Sequence, residues 1–245
     1  MSLLVGVGSA KEHDAHQAGF VAGKSALERA GAEGPMQLLV FSSAIHDQEA
    51  LVRGVRDAAG NAPLVGCSAA GILTAEGPLE GSVAVAAIGG DAFTFASGIG
   101  LMKQGARAAG ALVAQEIREI AGADLRGLLL FANMLSGGAA EALLGVGDVL
   151  GESAVPIAGA AAGDELLFER TFQYRDALVS DNAFVGLALA GSGVFGIAVR
   201  HGWVPVGTPL RVTRAEGSRL IELEGKPAVS LYEAYFGEDI QELRA

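Results

Sequence analysis

The chain has 245 residues, 51% of them hydrophobic and 18% charged, with a formal net charge of −11. That length admits one large domain or two small ones and buries roughly 70% of the surface an unfolded chain exposes, enough for a core. Its seventeen Lys and Arg are scattered rather than gathered in a stripe, which argues against nucleic acid; no apolar run reaches the roughly 20 residues of a bilayer span, so no membrane insertion is expected; and the single cysteine, Cys67, rules out an internal disulfide and fits a reducing, cytoplasmic compartment.

In chain order, Leu3 to Val7 reads as a short buried strand. Nothing before it resembles the basic start of a secretory signal. Glu12 to Ala30 reads as a helix, because Ala15, Ala18, Ala22, Ala26 and Ala30 recur every three to four residues; Gly31 closes it. Gln37 to Phe41 is a second strand, and Asp47 to Ala59 a helix with Asp47 as N-cap and Gly60 as stop. Pro63 to Val65 is a strand running into a Gly-rich turn, Gly66 to Gly71. Ser82 to Ile88 and Ala92 to Ala96 are expected to pair antiparallel around Gly89-Gly90-Asp91.

The order then repeats. Ala106 to Ala121 is a helix, Leu128 to Phe131 a strand, Gly138 to Leu150 a helix, and Val155 to Ala158 a strand entering a second Gly-rich turn, Gly159 to Asp164. Leu166 to Tyr174, Ala177 to Val179, Ala183 to Ala190 and Val194 to Val199 follow as strand-like stretches. Beyond Trp203 come strands at Pro209 to Thr213 and Leu220 to Leu223, a helix opened by Lys226-Pro227 and running to Phe236, and a polar tail from Glu238 to Ala245 expected to fray.

The repetition extends to residues. Ala30-Gly31-Ala32 returns as Ala121-Gly122-Ala123, Leu38 to Phe41 as Leu128 to Phe131, Gly54 to Gly60 as Gly145 to Gly151, and Pro63 to Gly66 as Pro156 to Gly159. The spacing of about 90 residues is too long for a solenoid, whose repeats run about 20–50. It predicts a duplicated half-domain. The expected fold is mixed α/β (α+β), two α/β halves with mixed sheets related by a pseudo-twofold. On that division residues 1–103 are the first half, 104–208 the second and 209–245 a short strand–helix extension. A ligand is expected in the cleft between the halves.

Several strings are weighed for chemistry. Gly19 to Ser25 ends in Gly-Lys-Ser, but the spacing differs from a phosphate loop and the segment lies inside a helix, where the amides are already bonded. His13 and His16 could place two imidazoles on one helix face, with no third ligand nearby. Cys67 and Ser68 sit in a Gly-rich turn, yet their counterparts are Ala160 and Ala161, which favours a buried or pocket-lining cysteine. Asn133 and Ser136 follow the strand ending at Phe131 as Ser43 and His46 follow Phe41, and polar residues at strand ends often line sites in α/β sheets. The expected ligand site combines Gly66, Cys67, Ser68, Asn133, Gly163 and Asp164 with His201 and the sole tryptophan, Trp203.

His201-Gly202-Trp203-x-Pro205-x-Gly207-x-Pro209, followed by Val212 to Gly217 and by Leu220-x-Glu222-Leu223-x-Gly225-x-Pro227-Ala228, resembles the FIST family of sensory domains. The Gly66 to Gly71 and Gly159 to Asp164 strings support it. The resemblance implies a bacterial small-ligand sensor for amino acids or similar metabolites, with no catalytic residues, so no enzyme. It also implies that members continue into a further C-terminal domain, of which 209–245 is the beginning. On that reading the chain is a short or truncated member without an output domain, signalling to a separate protein, and an uncovered sheet edge would favour a homodimer. Because one branch of the family senses nitric oxide through haem, a haem sensor using His201 is one alternative. A hydrolase or transferase using Cys67 is the other.

Overall fold

The computed structural model describes residues 2–31, 36–60, 62–75, 77–122, 124–151, 155–217 and 219–237. Ala32 and Ala123 of the repeated Ala-Gly-Ala string and the polar tail from Glu238 lie outside the described residues. The chain divides into two compact units, one ending at Ile197 and one beginning at Ala198.

The first unit opens with β1 (Leu3–Ala10), α1 (Ala15–Ala30), β2 (Gln37–Ser43), α2 (Gln48–Ala59) and β3 (Leu64–Ala69). A small hairpin, β4 (Ile72–Thr74) and β5 (Gly77–Leu79), leads to β6 (Val83–Gly90). There follow β7 (Phe93–Leu101), α3 (Ala106–Ala121), β8 (Leu125–Ala132), α4 (Ala139–Leu150) and β9 (Ile157–Ala161). A second hairpin, β10 (Gln173–Arg175) and β11 (Leu178–Ser180), leads to β12 (Ala183–Gly191).

The six-stranded sheet has the order β1-β6-β2-β3-β10-β11, and the four-stranded sheet β7-β12-β8-β9. Their first four places follow one rule. β1 pairs antiparallel with β6, β6 antiparallel with β2, and β2 parallel with β3. β7 pairs likewise with β12, β12 with β8, and β8 with β9. The expected hairpin between 82–88 and 92–96 does not form: β6 and β7 belong to different sheets. β6 already has β1 and β2 on its two edges, so the chain turns at Asp91 and crosses to start the next sheet.

Four layers result. Alternation along each strand assigns the faces. Leu38 and Val40 meet the buried alanines of α1 together with Leu51, Val52 and Val55 of α2. Leu128 and Leu130 meet Val113 and Ile117 of α3 and Val146 of α4. The intervening residues Leu39, Val65 and Cys67 of one sheet face Phe131, Val185 and Leu187 of the other. Phe41 and Phe131 touch edge to face there, with ring centroids 5.6 Å apart, a geometry that contributes about 0.5–1.5 kcal/mol beyond burial. The middle of the molecule is thus filled, and the seam between the sheets is core rather than cleft.

The alanine spacing of α1 is a packing device. Asp14 caps the helix by accepting from Gln17 N at 2.8 Å, and Gly31 ends it at φ 61°. At Gly19 a methyl group would overlap the Leu51 carbonyl of α2, and at Gly54 the His16 carbonyl of α1. At Gly110 it would overlap the Ala142 carbonyl of α4, and at Gly145 the Arg107 carbonyl of α3. Both helix pairs therefore pack backbone to backbone, and Gly19 to Ser25 is an ordinary buried helix turn.

In the second unit, residues 198–211 carry no regular structure. They lead to β13 (Val212–Glu216), β14 (Arg219–Leu223), β15 (Lys226–Pro227) and α5 (Ala228–Phe236), with the strands in one antiparallel sheet. Pro227 is the N-cap of α5, one place before the expected first turn.

Candidate functional site

The Gly-rich strings are mostly strand. Gly66, Cys67 and Ser68 lie within β3, and Gly159 to Ala161 within β9, because the missing side chains let neighbouring backbones close in: a methyl at Gly66 would overlap the Val40 carbonyl. Leu166 to Phe172 is loop rather than strand, and Val194 to Val199 is not a strand.

Ser68 and Gly163 come together. Ser68 Oγ donates to the Gly163 carbonyl at 2.7 Å and accepts from Phe172 N at 2.9 Å, while Gly163 N donates to the Ser68 carbonyl at 3.0 Å. These bonds fasten the loop after β9 to the end of β3. Asp164 organises that loop by accepting from Phe168 N at 3.0 Å, Glu169 N at 2.7 Å and Arg170 N at 2.9 Å. Burial works to raise its pKa, but the amides of Arg170, Glu169 and Phe168 outweigh that and hold the carboxyl below its usual value. They hold it although Glu165, Leu166 and Phe168 sit at positive φ, an uncommon conformation for such side chains.

Asn133 joins the same assembly from the other half. Its Nδ2 donates to the Asp181 carbonyl at 2.6 Å, and its Oδ1 accepts from Leu135 N at 2.8 Å. Asp181 Oδ2 lies 3.0 Å from Arg170 Nη2, and the Arg170 guanidinium stands 4.9 Å over the Phe172 ring. Gly66, Ser68, Gly163, Asp164 and Asn133 are thus joined through backbone and side chain, but as supports. Cys67 faces the central layer, 3% exposed, where burial pushes its thiol up to about 12. A buried thiol with a raised pKa offers little thiolate at neutral pH, which counts against Cys67 as a nucleophile in the hydrolase or transferase alternative.

His201 and Trp203 belong to the second unit, where both are exposed, Trp203 by 86%. The groove described in that unit is lined by Leu210, Leu223 and α5 residues, not by His201, so the surroundings of this imidazole do not fit a walled haem site. His16 is committed elsewhere: its Nε2 lies 2.7 Å from Asp57 Oδ2. Among the described residues no group of three or more His, Cys, Asp or Glu could hold a metal ion.

The open space is at the carboxyl end of β2. A groove of about 720 Å³ runs between the starts of α1 and α2, lined by Lys11, Glu12, His13, Asp14, His46 and Asp47 among others. A second, of about 480 Å³, reaches from His46 and Glu49 to Arg170 and Asp181. A third, of about 330 Å³, lies between His46 and the Asp164–Phe172 loop. His46 is common to all three, and its Nε2 is buried without a hydrogen-bond partner. The floor beneath is a closed polar network. Ser42 Oγ lies 2.8 Å from the Tyr174 hydroxyl and 2.9 Å from Gln48 Oε1, Tyr174 also bonds Gln48, and Gln48 Nε2 donates to the His46 carbonyl at 2.7 Å. Burial and the neighbouring Cys67 and Glu165 push the Tyr174 hydroxyl up, against the Ser42 hydrogen bond. Gln48 and Tyr174 so fix the backbone that carries His46. No motif in the sequence marks His46, Arg170 or Tyr174; the one legible signal was a polar residue directly after a strand.

The FIST N domain family model matches residues 37–226. The chain belongs to the FIST N domain family. This is a family of sensory domains, and a sensory role follows for the chain. Among curated proteins, uncharacterized protein MJ1623 of Methanocaldococcus jannaschii is 40% identical over 87 residues, 35% of this chain. The matched stretch spans 17% of that relative's length. Among solved structures, cyanuric acid hydrolase from A. caulinodans aligns with a TM-score of 0.41 at 12% identity, over 78% of this chain and 72% of that one. Among the described residues of this FIST domain, no helix is long and apolar enough to cross a membrane.

Proposed function

We propose that this FIST domain senses a small polar metabolite carrying an amino group, an amino acid or a related amine, in the grooves that meet at His46. The observation that carries this reading is the convergence itself: three openings share one imidazole whose Nε2 is buried without a partner. The rim favours a cation. Asp14 and Asp47 cap α1 and α2 and already accept from Gln17 N and Ala50 N, so these helix starts offer carboxylates rather than free amides. Glu12 adds a third acid, and Lys11 offers a cation to a ligand carboxylate, while Arg170 is already paired with Asp181. The amide cradle expected of the Gly-rich strings has no part here, since both are strand, and His201 and Trp203 are not assigned to this site.

Thermal unfolding of the whole chain against a panel of amino acids, small amines and amine-free carboxylic acids tests this. A ligand at 100 times its Kd stabilises by about 2.7 kcal/mol, which raises the melting point by roughly 5–10 °C. The rise is expected for amine-bearing compounds and lost in His46→Ala. A flat panel, or stabilisation by amine-free acids alone, overturns the proposal.

A further inference from the structure

β9 is an edge strand where its counterpart is not. β3 and β9 hold the same place in their sheets, each parallel to the strand before it. The far side of β3 is covered by β10, which pairs antiparallel with it, and β11 follows. β9 has no neighbour but β8 among the described residues. Its sequence, Ile157-Ala158-Gly159-Ala160-Ala161, contains no charge and no proline within the strand, so it lacks the usual devices that keep an edge from pairing.

The adjoining helix is bare in the same way. On α2, Val52 is buried at 1% exposure, with Val179 of β11 packed into the same core cluster. Its counterpart on α4, 91 residues on, is Leu143, 46% exposed. Where α2 meets solvent it carries Glu49, Arg53 and Arg56; the matching residues of α4 are Ala140, Leu144 and Gly147. The charges of α4 are drawn to the other side, where Glu141 and Asp148 both pair with Arg107 of α3. Between α4 and β9 runs an apolar groove of about 450 Å³ lined by Leu143, Ile157, Ala160 and Phe184 among others. A face without charge suits contact with its own copy, since a two-fold axis sets identical residues opposite one another and would oppose like charges.

We infer that β9 and α4 form the interface of a symmetric homodimer, with β9 paired antiparallel to the partner's β9 and the two α4 helices packed beside each other. The twofold makes the strands antiparallel, and the two four-stranded sheets become one. Ala140 and Gly147, one turn or less from the leucines, leave room for close helix approach. The exposed parts of Met134, Leu135, Leu143, Leu144 and Ile157, with the strand edge, offer on the order of 500–600 Å² per copy, about 1,000 Å² in all, which reaches the size expected of a biological interface.

Sedimentation velocity of the whole 245-residue chain between about 1 and 100 µM tests this. The expected species is twice 24.8 kDa, with the β9 amides protected from hydrogen exchange as concentration rises. Leu144→Arg, which installs the residue type found at the matching place of α2, and Ile157→Lys should each weaken association at least ten-fold while the circular dichroism stays native. Leu73→Arg, on the exposed β4–β5 hairpin, should leave the dimer intact. A monomer at 100 µM overturns the inference. So does a dimer that survives both interface changes, or a monomer that covers this face with a separately supplied polypeptide.

Discussion

Replacing Asp164 with asparagine tests the structural logic of the groove wall. The carboxylate accepts three backbone N–H groups, from Phe168, Glu169 and Arg170, and is buried. An asparagine in its place would turn its oxygen to the N–H groups of Glu169 and Arg170 and leave its amide nitrogen facing Phe168 N. One buried donor then loses its acceptor, at about 1–3 kcal/mol, and the two remaining bonds lose the carboxylate charge, while some of the loss is recovered as the loop relaxes from its positive-φ residues. A net loss of about 2 kcal/mol at neutral pH follows, or roughly 4–8 °C in the melting of the first unit. The pH dependence carries the sign. Because the folded carboxyl titrates below its unfolded value near 3.9, its stabilisation is complete above that value and disappears as pH falls through the folded one. The gap between wild type and Asp164→Asn should be widest near pH 7 and close below about pH 4. Urea unfolding at neutral and acid pH measures it. A loss under about 1 kcal/mol at pH 7, or a gap that ignores pH, refutes the account of the loop.

Gly19→Ala and Gly110→Ala should each cost about 3 kcal/mol, the upper range for overpacking, since the added methyl meets a facing backbone carbonyl that cannot rotate away; denaturant titration reads this out. Tyr174→Phe should cost only about 1 kcal/mol, because Ser42 and Gln48 remain bonded to each other at 2.9 Å; a loss above about 3 kcal/mol would mean the hydroxyl holds more than this pair. Cys67 should resist disulfide reagents at pH 8 until the chain is unfolded. Its raised pKa predicts stability that is complete below about pH 9 and falls as pH climbs towards 12, a slope that Cys67→Ala should flatten in the same titration.

Secondary structure was legible where local rules suffice. Alanine spacing with Gly31, and the Asp47 and Gly60 caps, placed α1 and α2 closely, although α1 starts at Ala15 behind an Asp14 cap rather than at Glu12. Pairing was not, because the partner of a strand is chosen by the sheet: Ser82 to Ile88 was expected beside Ala92 to Ala96 but inserts between β1 and β2. Small residues misled in the Gly66 and Gly159 strings, since a glycine in a tightly packed strand and a glycine in a turn leave the same mark in the sequence. The candidate site was harder still. Asp164, Ser68 and Asn133 were expected to line the ligand site, yet their polar atoms are bonded to the backbone, and the buried imidazole nitrogen without a partner is that of His46. Which polar side chain ends with an unspent atom depends on contacts more than a hundred residues apart, such as Gln48 with Tyr174.

Phe41 and Phe131 stand at matching places in the two sheets and lean on one another where the sheets meet. Enlarging or trimming either ring crowds or loosens its own twin. Related chains with this architecture are therefore expected to vary these positions as a couple, trading bulk from one to the other while the combined volume holds steady.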